Sequence, residues 1–208
     1  LNMDQKFMVQ AFAEIAAQAV GGIAVSLYHD ATPHEVARAA EQLNVSFVIA
    51  EDQEQVDKLL DLKDRLPALR GIIYIQKRGM RKYQDEILTS FAEAQKIGRA
   101  HHEQNPELYD RLVSVGKGQD TAIICMTSGT TGEPKGAILT FNNLISMSIA
   151  FNEADPKNEN DEFVSLLPLA WFGEQLMSVA APLVIGYTVN FPEKPETAMA
   201  DMREIGPH

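Results

Sequence analysis

The chain has 208 residues, 45% apolar and 23% charged, the balance of an ordinary globular protein with enough length to bury a core. Its formal net charge of −11 excludes the basic footprint of a nucleic-acid binder or a polybasic membrane patch, and leaves room only for anions that meet a local cation. One cysteine, Cys125, rules out an internal disulfide framework and points to a reducing cytoplasm. The apolar run from Val179 to Tyr187 is broken by Pro182 and Gly186, short of the roughly 20 residues of a membrane span. The opening Leu1-Asn2-Met3-Asp4 has no signal-peptide pattern, and a chain that starts on Leu1 and stops on His208 reads as a piece of something longer.

In chain order, Lys6 to Val20 predicts a helix, with Phe7, Met8, Ala11, Phe12, Ile15, Ala16 and Ala19 as its packed stripe and Gly21-Gly22 as its stop. Ile23 to Leu27 predicts a short buried strand. Thr32-Pro33-His34-Glu35 carries an N-cap, a first-turn proline and the glutamate of a capping box, followed by Val36, Ala37, Ala40 and Leu43 on one helical face. Val45 to Ala50 predicts a fully buried strand, Gln53 to Leu66 a helix ended by Pro67, and Gly71 to Ile75 a third strand. This alternation implies right-handed crossovers onto a parallel sheet covered on both faces, and so an α/β fold of parallel-rich sheets flanked by helices. Met80 to Leu112 is charged and helical, without strand signals. Thr121 to Met126 and Gly136 to Thr140 predict strands, then come a helix at Asn142 to Phe151, a strand at Phe163 to Leu167, a helix through Leu176 and Val179, and a strand at Tyr187 to Phe191. Asn152 to Asp161 is polar enough for an exposed loop, and the sequence marks no domain boundary.

The chemistry concentrates in Thr127-Ser128-Gly129-Thr130-Thr131-Gly132-Glu133-Pro134-Lys135-Gly136. Its glycines permit a close backbone approach to an anion, and Thr127, Ser128, Thr130 and Thr131 add hydroxyl donors. Lys135 supplies a mobile positive charge for phosphate oxygens. Strands on both sides distinguish it from a P-loop, whose G-x-x-x-x-G-K-[ST] opens directly into a helix; here Pro134 and Gly136 flank the lysine.

This ten-residue segment resembles the phosphate-loop signature of the adenylate-forming (AMP-binding) superfamily, which includes acyl-CoA synthetases, luciferases and peptide-synthetase adenylation domains. Upstream, Ala19 to Tyr28 with Thr32-Pro33-His34-Glu35 is similar to the family's "GGVVVPLYPT…PEE" segment, and Val48-Ile49-Ala50-Glu51-Asp52 and Gly71-Ile72-Ile73-Tyr74 fall at family strands. Downstream, Ser165-Leu166-Leu167-Pro168-Leu169-Ala170-Trp171-Phe172-Gly173-Glu174 resembles the "LPLAHxxE" motif of the long-chain fatty-acid branch. The resemblance covers nearly the whole chain. It implies that residues 1–208 are part of the large N-terminal AMP-binding domain, with the rest of that domain and a small C-terminal domain lying elsewhere.

The resemblance further implies activation of a fatty acid by ATP to an acyl-adenylate, then transfer to coenzyme A. In that reading Thr127, Ser128, Gly129, Thr130, Thr131, Gly132 and Lys135 hold the ATP phosphates and Lys135 is catalytic. Thr127 contributes to a partial Mg²⁺ site, and Trp171 and Glu174 line the acyl or adenylate pocket. The implied partners are small molecules, and the implied location is cytoplasmic, with a peripheral membrane position open. Two positions depart from the family pattern: Trp171 and Phe141 stand where histidines are usual, which removes titratable groups. The Tyr-Gly-x-Thr-Glu and Thr-Gly-Asp segments and the late lysine of the family are absent from these residues, so this chain alone is not expected to complete acyl-CoA synthesis. Alternatives are a ligase for an aryl, short-chain or amino acid, and a non-catalytic nucleotide-binding relative.

Other chemistry-bearing residues read as structural. Cys125 sits in an apolar strand, adjacent His101 and His102 lack an i+4 partner for a metal, and Asn44-Val45-Ser46 is an idle sequon. Lys77, Arg78, Arg81 and Lys82 form a basic turn, with a coenzyme A contact as the alternative. Trp171 fits a core position as well as a pocket wall, and Glu174 fits an ion pair or cap better than a base.

Overall fold

The structure is a computed structural model that describes residues 5–127, 135–192 and 197–206, with side chains from Met8 onward. The chain divides into two compact units: Leu1–Tyr28 with Leu112–His208, and His29–Arg111.

The second unit contains the parallel sheet anticipated from the sequence. Helix α2 (Pro33–Gln42) starts at Thr32, whose hydroxyl accepts from the Glu35 N–H while the Glu35 carboxylate accepts from the Thr32 N–H. The Thr32 N–H and then the Thr32 hydroxyl, which also donates to the Glu35 carboxylate, hold that carboxyl below its ordinary range. Strands β1 (Phe47–Ala50), β2 (Gly71–Tyr74) and β3 (Leu88–Ser90) lie side by side, all parallel, with Val48 opposite Ile72 and Ile72 opposite Leu88. Helix α3 (Gln53–Asp61), capped by Asp52, connects β1 to β2 and buries Val56 and Leu59 against Ala50, Ile72 and Met80. Helix α4 (Phe91–Gln104) follows β3 directly.

Two expectations fail here. β1 is not buried throughout, since Phe47 is 60% exposed and Ile49 39%; only the face bearing Ala50 joins the core, while the Arg70 guanidinium lies 5.7 Å from the Phe47 ring centroid. The stretch from Met80 to Leu112, read without a strand, contains β3. Three residues are too few to display alternation, and pairing with β2 decides their conformation.

In the first unit, helices α1 (Gln5–Ala19) and α5 (Leu108–Ser114, which spans the division between units) precede the antiparallel hairpin of β4 (Thr121–Thr127) and β5 (Lys135–Thr140). Helix α6 (Phe141–Ala154) follows with a Thr140–Asn143 capping box. Strand β6 (Glu162–Val164), helix α7 (Phe172–Gln175), helix α8 (Ala181–Ile185), strand β7 (Thr188–Asn190) and helix α9 (Ala198–Ile205) complete it, with β6 and β7 parallel. Ile23 to Leu27 does not form the expected strand. Ala24 alone pairs with β4, exchanging backbone bonds with Ala122 and Ile124, and Ile23 is exposed. In α1 the buried positions are Val9, Ala11 and Glu14, while Phe12, assigned to the packed stripe, is 61% exposed.

Between α7 and α8 the helix widens into a π turn at Leu176–Ala180, and the Ala181 N–H bonds to Leu176 O. That bond takes the donor Met177 O would use in an α-helix, and its π-type partner, Pro182, has no N–H. The Tyr187 hydroxyl fills the gap by donating to Met177 O. Tyr187 is 3% exposed; burial, with the Glu174 charge adding to it, pushes its phenol well above the ordinary range.

Candidate active site

The hairpin neck is the part of the phosphate loop that the structure describes. β4 and β5 pair from Thr121 opposite Thr140 to Thr127 opposite Lys135, so the chain leaves and re-enters the ladder at one residue pair. The Thr127 hydroxyl donates to Lys135 O at 3.1 Å. Its hydrogen is therefore committed inward, and its lone pairs remain available to a cation or a water, which fits the Mg²⁺-ligand role expected of it. Lys135 is exposed at the start of β5, so its ammonium, on a flexible stem, is open to solvent. Ser128, Gly129, Thr130, Thr131 and Gly132 lie outside the described residues. Among the described residues no cluster of three His, Cys, Asp or Glu side chains can hold a metal.

The hairpin base is rigid because it is core. Ala122, Ile123 and Cys125 pack with Leu144, Leu176 and Ala180, and Phe141 and Phe172 lie against them. Phe141, at the position usual for histidine, thus serves packing. Cys125 is buried, and burial, then the nearby Glu14 charge, raises its thiol pKa, which suits inert packing. The same cluster draws the helix beginning at Phe172 onto β4, so the second motif is anchored to the strand that launches the loop.

In that second motif Trp171 and Glu174 separate. Trp171 is half exposed at the N-cap of α7, which settles against a core role, and its indole covers Gly173 so closely that a Cβ there would lie 2.4 Å from the ring. Glu174 is 3% exposed and neither caps the helix nor forms an ion pair with a described residue. Instead its Oε1 accepts from Ser165 at 2.5 Å and Ser178 at 2.6 Å.

Sequence reasoning missed the neighbour of Glu174. Gln175 is also buried, and its Nε2 donates to Glu14 Oε2 at 2.8 Å and Leu169 O at 2.8 Å, with Ser26 Oγ at 3.3 Å. Glu14 also accepts from Gln18 at 3.2 Å. Burial raises the Glu14 carboxyl above its ordinary range, with the Gln175 and Gln18 bonds opposing. The available signal was a lone charge among the apolar residues of α1, ordinarily read as a solvated position.

Two surface concavities are lined by none of these residues. One is lined by Ile149, Asn152, Lys157, Glu159 and Ile185, and Lys157 there is already paired with Asp155. The other surrounds the exposed basic turn of Lys77, Arg78, Gly79, Arg81 and Lys82. His101 and His102 are exposed on α4, as expected of a solvated face. No helix among the described residues is long and apolar enough to cross a membrane.

The chain is 26% identical over 94% of its length to Long-chain-fatty-acid--CoA ligase ACSBG2 of Xenopus laevis, and spans 27% of that protein. It is 31% identical over 79% of its length to Long-chain-fatty-acid--CoA ligase 1 of Cavia porcellus, spanning 24% of it. The chain therefore covers about a quarter of the length of these curated relatives. Among solved structures it matches the anthranilate CoA ligase AuaEII in complex with anthranoyl-AMP, with TM-score 0.71 and 17% identity over 94% of this chain and 36% of that one. ATP-bound MatB from Rhodopseudomonas palustris matches with TM-score 0.65 and 17% identity, over 93% of this chain and 35% of that one. These two likenesses establish the fold. The AMP-binding enzyme family matches residues 7–208, and the chain belongs to that family.

Proposed function

We propose that this chain is the nucleotide-gripping part of the large domain of an AMP-forming acid–CoA ligase acting on long-chain fatty acids. The observation that carries the reading is the hairpin neck, where the Thr127 hydroxyl closes on Lys135 O, the two residues that flank the Ser/Thr/Gly-rich segment 128–134 in sequence. A carboxylate attacks the α-phosphate of ATP, forming an acyl–phosphate bond and expelling pyrophosphate; a thiol then displaces AMP. The first step builds charge on the departing pyrophosphate, so positioning and charge neutralisation dominate its catalysis. Lys135 neutralises that charge, and Thr127 offers an oxygen to the Mg²⁺ that would accompany the nucleotide. Mg²⁺ supplies charge screening between phosphate oxygens when bound. Trp171 forms part of the acid or adenylate pocket wall through an exposed ring, with one donor and no base function. Glu174, buried on two serine hydroxyls, supports that segment from within rather than touching substrate.

The long-chain assignment draws support from the curated relatives at 26% and 31% identity. An aryl acid is the second reading, favoured by the 0.71 TM-score against an anthranilate CoA ligase. Acid-dependent exchange of labelled pyrophosphate into ATP, measured on the complete ligase with a panel of acids, tests both. Exchange with C16 or C18 acids and none with benzoates is expected. Exchange with benzoates alone would transfer the assignment to the aryl class, and no exchange with any acid would leave a nucleotide binder.

A further inference from the structure

We propose that Glu14 is a positioning residue for the turn that presents Trp171, acting through Gln175. The link from this turn to substrate rests on the pocket reading above; the positioning itself does not.

Glu14 lies on α1 at 5% exposure, and no described cation pairs with it. Its helix neighbours Ala11 and Ile15 pack in one apolar cluster with Leu169, Val179 and Phe191. A leucine would fill the site without the cost of desolvating a carboxylate, so what Glu14 adds is a strong acceptor. That acceptor is directed at one amide. The Gln175 amide nitrogen has two hydrogens and two acceptors at 2.8 Å, the Glu14 carboxylate and Leu169 O. Holding one hydrogen on Glu14 fixes the amide plane and aims the other at the Leu169 carbonyl. Rotation of the amide would leave the buried carboxylate with Gln18 alone at 3.2 Å, so the rotamer is locked by the charge it serves.

Leu169 belongs to the turn that ends at Trp171. The Trp171 N–H donates to Pro168 O at 2.9 Å, and Trp171 O accepts from the N–H groups of Glu174 and Gln175, each at 3.1 Å. The ring of Trp171 rests on Gly173, where a side chain would collide with it. Ring position therefore follows the turn, the turn follows the Leu169 carbonyl, and that carbonyl is held by Gln175 in the orientation Glu14 selects. Glu14 and Gln175 are 161 residues apart in sequence, so this bridge fastens the first helix to the motif without any local constraint.

Trp171 is the one tryptophan of the chain, so its fluorescence reports the turn without labelling. The test is time-resolved anisotropy of Trp171 in the complete ligase, with every tryptophan outside these 208 residues replaced by phenylalanine. Wild type is compared with Glu14→Leu, Glu14→Gln, Gln175→Met and the Glu14→Leu/Gln175→Met double variant, far below each melting temperature. Glu14→Leu and Gln175→Met are each expected to convert slowly decaying anisotropy into fast local motion, with the double variant no worse than either alone. Glu14→Gln, which keeps an acceptor, is expected to preserve the wild-type decay. Ile72→Val, a destabilising core change in β2, is expected to leave the decay unchanged, separating positioning from general loss of stability. Should Glu14→Leu not fold, Gln175→Met, which keeps side-chain length, carries the test. An unchanged decay in Gln175→Met, or additive losses in the double variant, overturns the proposal. In the ligase, the same variants are expected to raise KM for the acid with kcat little changed. A changed decay with an unchanged KM upholds the positioning and removes Trp171 from the pocket instead.

Discussion

The hairpin neck and the buried polar cluster behind Trp171 are built in opposite ways. At the neck, Thr127 and Lys135 are eight positions apart, and every residue proposed to hold phosphate belongs to one contiguous motif. Behind Trp171, Glu14 and Ser26 come from near the start of the chain to meet a polar segment that carries Ser165, Gln175, Ser178 and Tyr187. The neck places its functional groups at the surface, so changing them should alter ligand binding with little effect on folding. The cluster encloses its polar groups, where a lost partner leaves a desolvated atom, so changing them should alter folding first. The chemistry proposed for the neck is open to water, and the cluster carries geometry.

Predictions can break that contrast. The largest effect is expected from Lys135→Ala in the complete ligase, with pyrophosphate exchange slowed about 100-fold or more and an unchanged melting temperature; a large loss of stability instead would mean the neck is structural. Gln175→Met should cost about 2–3 kcal/mol by urea unfolding, because it leaves the Glu14 carboxylate short of its closest donor. A cost near zero would mean that water or a rotated neighbour replaces the amide. Tyr187→Phe should cost about 1–2 kcal/mol, since Met177 O then loses the donor that the π turn denies it.

Glu14→Gln should have the smallest effect, visible chiefly as a change of slope with pH. The folded Glu14 carboxyl has a raised pKa, so its contribution to stability is fully present below the unfolded value and is lost as pH rises through the folded one. Removing the ionisable group should therefore flatten stability against pH above the ordinary carboxylate range and favour the variant at neutral pH. A steeper slope would reverse the assigned direction.

What the sequence discloses follows the same division. The capping box at Thr32, the parallel β1 and β2 and the β4–β5 hairpin are each written in a few adjacent residues, and the structure contains all three. Ile23 to Leu27 looked like a strand because five mostly apolar residues follow a helix stop, yet only Ala24 finds a pairing partner. β3 was invisible because pairing with β2, rather than side-chain alternation, makes Leu88–Ser90 extended. Trp171 was readable as pocket wall or core, and only its half-exposed ring decides between them. Glu174 and Gln175 sit side by side in the sequence, and Ser178 is an i+4 neighbour of Glu174, but Ser165 and Glu14 reach them through tertiary packing, which no local pattern encodes.

The most direct test of the phosphate grip is calorimetric binding of ATP and of AMP to the complete ligase and its Lys135→Ala variant. Because Lys135 is assigned to the outer phosphates, the variant should lose most of the affinity advantage of ATP over AMP while AMP binding stays the same. An equal loss for both nucleotides, or no loss for either, would contradict the account.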